Sequence, residues 1–207
     1  MKKIVYLFLL MFTVFFSYAQ QEKIENIGQY FDSNFKPSPF FTYYYKDIDN
    51  NFIPFIGNWI YQNGNQTFIL TLWKVEKVPG YPNNPPKYYI DKLRGHYKLV
   101  QNYGLSNEQV IYTSQINIGN STTPLETIVM GNQPIEPYKM SGFVYDITGV
   151  VNPAYPLGVK GQLSMEINPV NLNTAQWKVI LPMGMRGSDE PSTFTIPTNI
   201  TLTKVNQ

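Results

Sequence analysis

Apolar and polar residues alternate at every second position through most of this chain, and short runs of Pro, Gly and Asn interrupt the alternation. No other feature constrains the fold as strongly. A period of two is the signature of strands with one buried face, whereas a helix would repeat near 3.6. Phe55, Gly57, Trp59 and Tyr61 share one parity, and Phe68, Leu70 and Leu72 continue it beyond Asn63-Gly64. Asn-Gly between two alternating runs is the type I′ hairpin signal, so 55–62 and 66–76 are expected to pair as an antiparallel hairpin. Residues 78–87 are rich in Pro, Gly and Asn and read as a loop. Then Tyr89, Asp91, Leu93, Gly95, Tyr97 and Leu99 face one way and Lys92, Arg94, His96 and Lys98 the other, as in a strand with one wet face.

Further strands are expected at 108–117, 125–130, 140–148, 159–167 and 174–181, with a last one carrying Phe194, Ile196, Ile200 and Leu202. Within 140–148, Phe143, Tyr145 and Ile147 read as one face and Phe143 as part of the interior. Pro-rich joints at 79–86, 124–137 and 152–156 separate hairpins, not domains. This gives about nine strands at barrel-like spacing and no helix of ten residues. The expected fold is all-β, a single antiparallel up-and-down β-barrel over 53–207. Residues 20–52 read as irregular, with an aromatic run from Phe40 to Tyr45 and a turn-forming cluster of Asp47, Asp49, Asn50 and Asn51.

The first nineteen residues read as an address. Met1-Lys2-Lys3 is a positive start, Ile4 to Phe16 is apolar or small, and Ser17-Tyr18-Ala19 places small residues at the −3 and −1 positions of a signal-peptidase site. The apolar run falls short of the ~20 residues of a membrane helix. The mature chain is thus expected to start at Gln20, to lack a membrane span, and to be secreted or periplasmic. Cleavage removes Lys2 and Lys3 and no acid, so the 16 basic and 14 acidic groups become 14 and 14. Nucleic-acid binding through a basic field then has no support.

The chain has no cysteine and one histidine, His96. That excludes disulfides, iron–sulfur clusters, a cysteine nucleophile and Cys- or His-rich zinc sites. No cofactor motif is present. An outer-membrane barrel would turn an apolar band outward and a polar face inward. Here Lys, Arg, Glu and Gln stand in mid-strand opposite bulky Phe, Leu, Met, Ile and Trp, the arrangement of a soluble barrel with a packed interior.

The run Asp47–Trp59 (DIDNNFIPFIGNW), the Lys-Lys leader ending in Ala-Gln, the segment Tyr89-x-Asp91-x-Leu93-x-Gly95-x-Tyr97 and the closing Ile200-Thr201-Leu202-Thr203-Lys204 occur here in one order. Together they resemble a family of exported Bacteroidota proteins catalogued as a domain of unknown function. The resemblance implies an exported β-barrel and assigns no activity. Gly57-Asn58-Trp59 is also similar to the Gly-x-Trp motif of lipocalins, in which the Trp plugs the closed end of the barrel under an arginine from a late strand. Only Arg94 and Arg186 exist here, and neither lies in such a strand. A lipocalin-like architecture is the resulting expectation.

Trp59, Tyr61, Leu70, Tyr89, Asp91, Tyr97 and Trp177 are expected to share the interior and to line a site for a small apolar or amphipathic ligand. The alternative is a barrel filled by its own side chains that serves as a structural or interaction protein. Asp91 would be a buried acid of raised pKa poised for proton transfer or ligand binding, or else a strand-end residue near solvent or a structural hydrogen-bond partner of a neighbouring tyrosine. No second inward acid is evident, and no catalytic or metal site is expected. The basic strip from Lys92 to Lys98 could hold an anionic glycan or headgroup, or be a solvated face that deters edge pairing. Asp47-x-Asp49-x-Asn51 has the first spacings of a calcium loop, but Phe52 stands where Gly and Asn58 where Glu is needed, which favours a plain turn. Asn65, Asn120 and Asn199 head sequons.

Overall fold

A computed structural model describes residues 21–80, 87–117, 126–131, 136–148 and 154–205. The expected leader and the Asn120 sequon lie outside them. The described residues form eleven strands: β1 (Gln21–Asn26), β2 (Phe41–Lys46), β3 (Gly57–Asn63), β4 (Gln66–Pro79), β5 (Tyr88–Gln101), β6 (Gln109–Thr113), β7 (Ile128–Met130), β8 (Lys139–Asp146), β9 (Val159–Asn168), β10 (Asn171–Ile180) and β11 (Asn199–Val205). One helical turn, α1 (Gly28–Phe31), follows β1, and a 3-10 turn (Ile53–Phe55) precedes β3.

Eight of the strands close a barrel in the order β3, β4, β5, β7, β8, β9, β10, β11 and back to β3, and every pairing is antiparallel. This is the up-and-down arrangement expected. Closure removes the free edges that an open sheet would leave. Strand β5 is the keystone. One of its edges pairs with β4 throughout, while the other takes β2 at Tyr88–Ile90, β7 at Leu93–Gly95 and β6 at Lys98–Gln101 in succession.

The β3–β4 hairpin forms as expected, but its turn is one residue further on. Asn63 pairs with Gln66, so Gly64 and Asn65 are the loop residues. Only Gly64 has a positive φ (61°), the glycine-first pattern of a type II′ turn in place of type I′.

The segment read as irregular, 20–52, holds two strands among its described residues. Strands β1 and β2 add in parallel to the free stretch of β5. The alternation that marks other strands is missing here because Thr42 to Tyr45 are buried on both faces of β2, while β1 is largely exposed. The aromatic run is spent within the chain. Tyr43 and Tyr45 stack at 5.8 Å, Tyr30 and Phe35 meet them edge-on at 5.2 and 5.7 Å, and the Tyr30 and Tyr88 hydroxyls lie 2.8 Å apart. Such ring pairs stabilise by about 0.5–1.5 kcal/mol each beyond their area burial.

Strand β8 corrects a second expectation. Its buried positions are Met140, Gly142, Val144 and Asp146, so Phe143 and Tyr145 face outward. Both faces of β8 carry apolar residues, which leaves the alternation without a sign. Gly142 has no room for a side chain, because a Cβ there would stand 1.9 Å from the Val129 carbonyl oxygen. Outside, Phe143 is covered by the Lys160 ammonium at 4.5 Å from the ring centroid.

The barrel interior holds Trp59, Phe68, Leu70, Leu72, Leu93, Tyr97, Ile128, Met130, Met140, Leu163, Met165, Trp177 and Leu202, all essentially inaccessible. The outer faces carry Lys92, Arg94 and Lys98 on β5, Lys160 and Glu166 on β9, and Lys178 on β10. Charge outside and apolar bulk inside is the reverse of an outer-membrane barrel. Among the described residues no helix is long and apolar enough to cross a membrane.

Candidate functional site

The antiparallel registers put the start of β3, the end of β4 and the start of β5 at one end of the barrel, with Trp59 and Asp91. The end of β8, the end of β10 and the start of β11 lie at the other, with Asp146.

At the first end the 3-10 turn folds beneath the strands and seats Phe52 and Phe55 with no exposure. The Trp59 indole N–H donates to the Phe55 carbonyl at 2.8 Å. Lys204, on the last strand, lies 5.3 Å from the Trp59 ring centroid and donates to the Pro54 carbonyl at 2.7 Å. The cation expected across this tryptophan is therefore present, as a lysine in place of an arginine. A cation over an indole face is attracted by the ring quadrupole, and burial holds this ammonium's pKa below the ordinary lysine value.

Asp91 sits beside this plug with no exposed surface. It accepts the Tyr44 hydroxyl at 2.7 Å and the backbone N–H groups of Asp47 at 3.0 Å and Lys77 at 3.1 Å. The Lys74 ammonium is 3.0 Å away. A bulge between Val75 and Val78, with Lys77 at φ 57°, is what aims the Lys77 N–H inward. Burial alone would raise the carboxyl's pKa, but the Tyr44 hydroxyl and then the Asp47 N–H, Lys77 N–H and Lys74 outweigh it, and the pKa falls below the ordinary aspartate value. The hydrogen bond to a neighbouring tyrosine expected for Asp91 is present, and its pKa is lowered where a raised one was the alternative. Burial and then Asp91 push the Tyr44 hydroxyl well above the usual tyrosine range.

Asp47 accepts the N–H groups of Asn51 at 2.9 Å and Phe52 at 3.1 Å. Asp49 accepts from the Asn26 amide at 2.7 Å. These carboxylates shape the turn into the plug, and among the described residues no group of three or more His, Cys, Asp or Glu could hold a metal ion.

The other end has a carboxylate that the sequence reading missed. Asp146 is buried and accepts the Thr195 and Ile196 N–H groups, with the Thr148 and Thr195 hydroxyls. It staples the segment 194–198 over the barrel end, where Ile196 is buried and the Pro197 carbonyl receives the Trp177 indole N–H at 2.9 Å. Tyr97 links the same end to the wall, donating to the Tyr145 carbonyl at 2.9 Å and accepting the Ile147 N–H at 3.1 Å. Assigning Phe143 inward hid Asp146. Taking Met140 and Val144 as the inner set would have revealed it.

Of the seven residues expected at an interior ligand site, Trp59, Leu70, Asp91, Tyr97 and Trp177 are fully buried. Tyr61 is half-buried beside the Asp146 end of β3, packed against the core. Tyr89 lies outside the group, paired with Tyr44 and Pro79, with Lys77 5.2 Å above its ring. The basic strip does face outward, and Arg94 meets Glu126 at 3.0 Å. The sequon residues Asn65 and Asn199 are exposed.

A cleft of about 170 Å³ opens on this outer face, lined by Ile69, Thr71, Trp73, His96, Lys98 and Gln115 among others. The His96 ring lies 5.1 Å from that of Trp73, and its Nδ1 is buried without a hydrogen-bond partner among the described residues. Burial lowers the imidazole pKa against the opposing pull of Glu126. Sequence reasoning had named the β5 side of this cleft as a charged strip. It missed the partnership with Thr71 and Trp73, which register alone reveals through the pairs Thr71–His96 and Trp73–Arg94.

These features define an eight-stranded up-and-down β-barrel with a packed interior, plugged at one end and stapled at the other. The chain belongs to a family of unknown function, DUF6705, which it matches over residues 1–205. No curated protein and no solved structure matches it.

Proposed function

We propose that this protein is a non-catalytic binding module that meets its partner with the outer face of the barrel and uses the interior only as a core. One observation carries the reading: large side chains occupy the interior from the Trp59 plug to the Asp146 staple. Eight-stranded barrels are just wide enough to be filled in this way. The buried carboxylates support it too. Asp91, Asp47 and Asp146 each accept several donors from the protein itself, so their charge serves the fold. The proposal includes export from a Bacteroidota cell by removal of residues 1–19. It is supported by the leader pattern of Met1-Lys2-Lys3, the apolar run and Ser17-Tyr18-Ala19.

Titration with the apolar fluorophore N-phenyl-1-naphthylamine tests the filled interior. No saturable enhancement is expected from the native protein. One-to-one binding that quenches the tryptophans and vanishes in Leu70→Trp would overturn the reading and restore the interior ligand site.

A further inference from the structure

We propose that the outer cleft between β4, β5 and the end of β6 is a binding site for one acidic sugar unit, a hexuronate residue of a glycan. The inference rests on the outer-face reading above and names its ligand class.

The cleft is built from three strands. Ile69, Thr71 and Trp73 are successive outward residues of β4, His96 and Lys98 of β5, and Thr113 and Gln115 close the far side. Ile69 is 5 % exposed although it faces out, so the floor is apolar and sheltered. At about 170 Å³ the space lies below the ~300–1,000 Å³ of drug-sized pockets and suits a single saturated ring. Trp73 is half-buried, its ring 5.1 Å from that of His96 and tilted by 45°, and it presents an aromatic wall. Polarised C–H bonds of a pyranose are drawn to the negative face of such a ring.

The polar groups of the cleft fall into a pattern that a polyol matches. Thr71 donates its hydroxyl to the Asn58 amide oxygen at 2.7 Å, which leaves its lone pairs to accept from a ligand hydroxyl. Thr113 accepts the Gln115 N–H at 3.1 Å, which leaves its proton to give. The Trp73 indole N–H, the Gln115 side-chain amide and the Lys98 ammonium have no partner among the described residues. Among the described residues no carboxylate lines the cleft, and Glu126, which is near enough to pull on His96, is paired with Arg94. An unpaired ammonium with surplus donors calls for an anion, and the apolar floor with paired hydroxyls calls for a ring that carries both C–H faces and hydroxyls. A hexuronate combines the two. Neighbouring Lys92 extends the positive face along β5 toward the next unit of a chain.

The test is saturation-transfer NMR and calorimetry on the wild-type protein with tri-galacturonate, and with neutral galactotriose as the comparison. Trp73→Ala and Lys98→Gln are the variants, with thermal melts to establish that both fold. Tri-galacturonate should bind with contact at Trp73, and each substitution should weaken it about tenfold, the scale of one lost charge-assisted or stacking contact. Neutral and acidic trimers binding alike, with Lys98→Gln unchanged, would overturn the acidic class. Absence of any effect at Trp73 from either trimer would overturn the site. In that case a flat naphthylamine titration leaves the outer-face reading standing, whereas a saturable one removes it independently.

Discussion

Replacing Asp91 by Ala should cost more stability than any other single loss of a carboxylate in this protein. The substitution leaves Lys74, whose side chain is 17 % exposed, next to Asp47 at 3.9 Å and Glu76 at 3.3 Å only. It also strands the Tyr44 hydroxyl and the N–H groups of Asp47 and Lys77, which have Asp91 as their acceptor. Breaking a buried pair on one side typically costs about 3–5 kcal/mol, because the remaining charge stays in a poor solvent. Partial water access to Lys74 and its two remaining acidic neighbours put the expected value near the lower bound, about 3 kcal/mol. That is a large share of the ~5–15 kcal/mol that holds a domain together. Urea unfolding of the wild type, Asp91→Ala, Lys74→Met and the double variant measures it. The double variant should recover part of the loss, since it no longer buries an unpaired ammonium, with a coupling energy above ~1 kcal/mol. An Asp91→Ala cost below ~1 kcal/mol, or strict additivity in the cycle, would refute the claim that Lys74 and Asp91 are one buried unit.

Three further outcomes are expected. Asp91 has a folded pKa below its unfolded value near 4, so its contribution is complete above about pH 4 and is lost as pH falls through the folded value. For Lys74, burial is outweighed by the hydrogen bond and charge of Asp91, so its pKa is raised and its contribution fades only as pH rises through that raised value. Acid unfolding monitored by circular dichroism should therefore begin below pH ~4 and lose part of its slope in Asp91→Asn; an unchanged slope contradicts this. Trp59→Ala should destabilise by about 3–5 kcal/mol and Lys204→Met by about 1 kcal/mol, read from denaturant midpoints; equal losses would contradict the plug geometry. Peroxide should oxidise Met183 and Met185, which are 98 % and 105 % exposed, long before the buried Met130, Met140 and Met165, as peptide mass spectrometry would show.

The parts of this fold legible in the sequence are those where one face is wet. Strand β5 alternates without exception from Asp91 to Tyr97, and its burial follows that alternation. Strand β2 is buried on both faces and β1 is a polar edge, so neither carries a period to read. Strand β8 has a period but no sign, which misplaced Phe143 and concealed Asp146. The plug was legible from Gly57-Asn58-Trp59 alone, and its cation was missed only because an arginine was sought where Lys204 stands. The outer cleft depends on the register between β4 and β5, which no periodicity within a single strand specifies.

The central claim is that the barrel is full. Native mass spectrometry of the protein purified from its own cells under gentle conditions tests it most directly. The mass of the bare polypeptide is expected. A stoichiometric apolar adduct that survives purification, and that is absent from the Leu70→Trp protein, would contradict it.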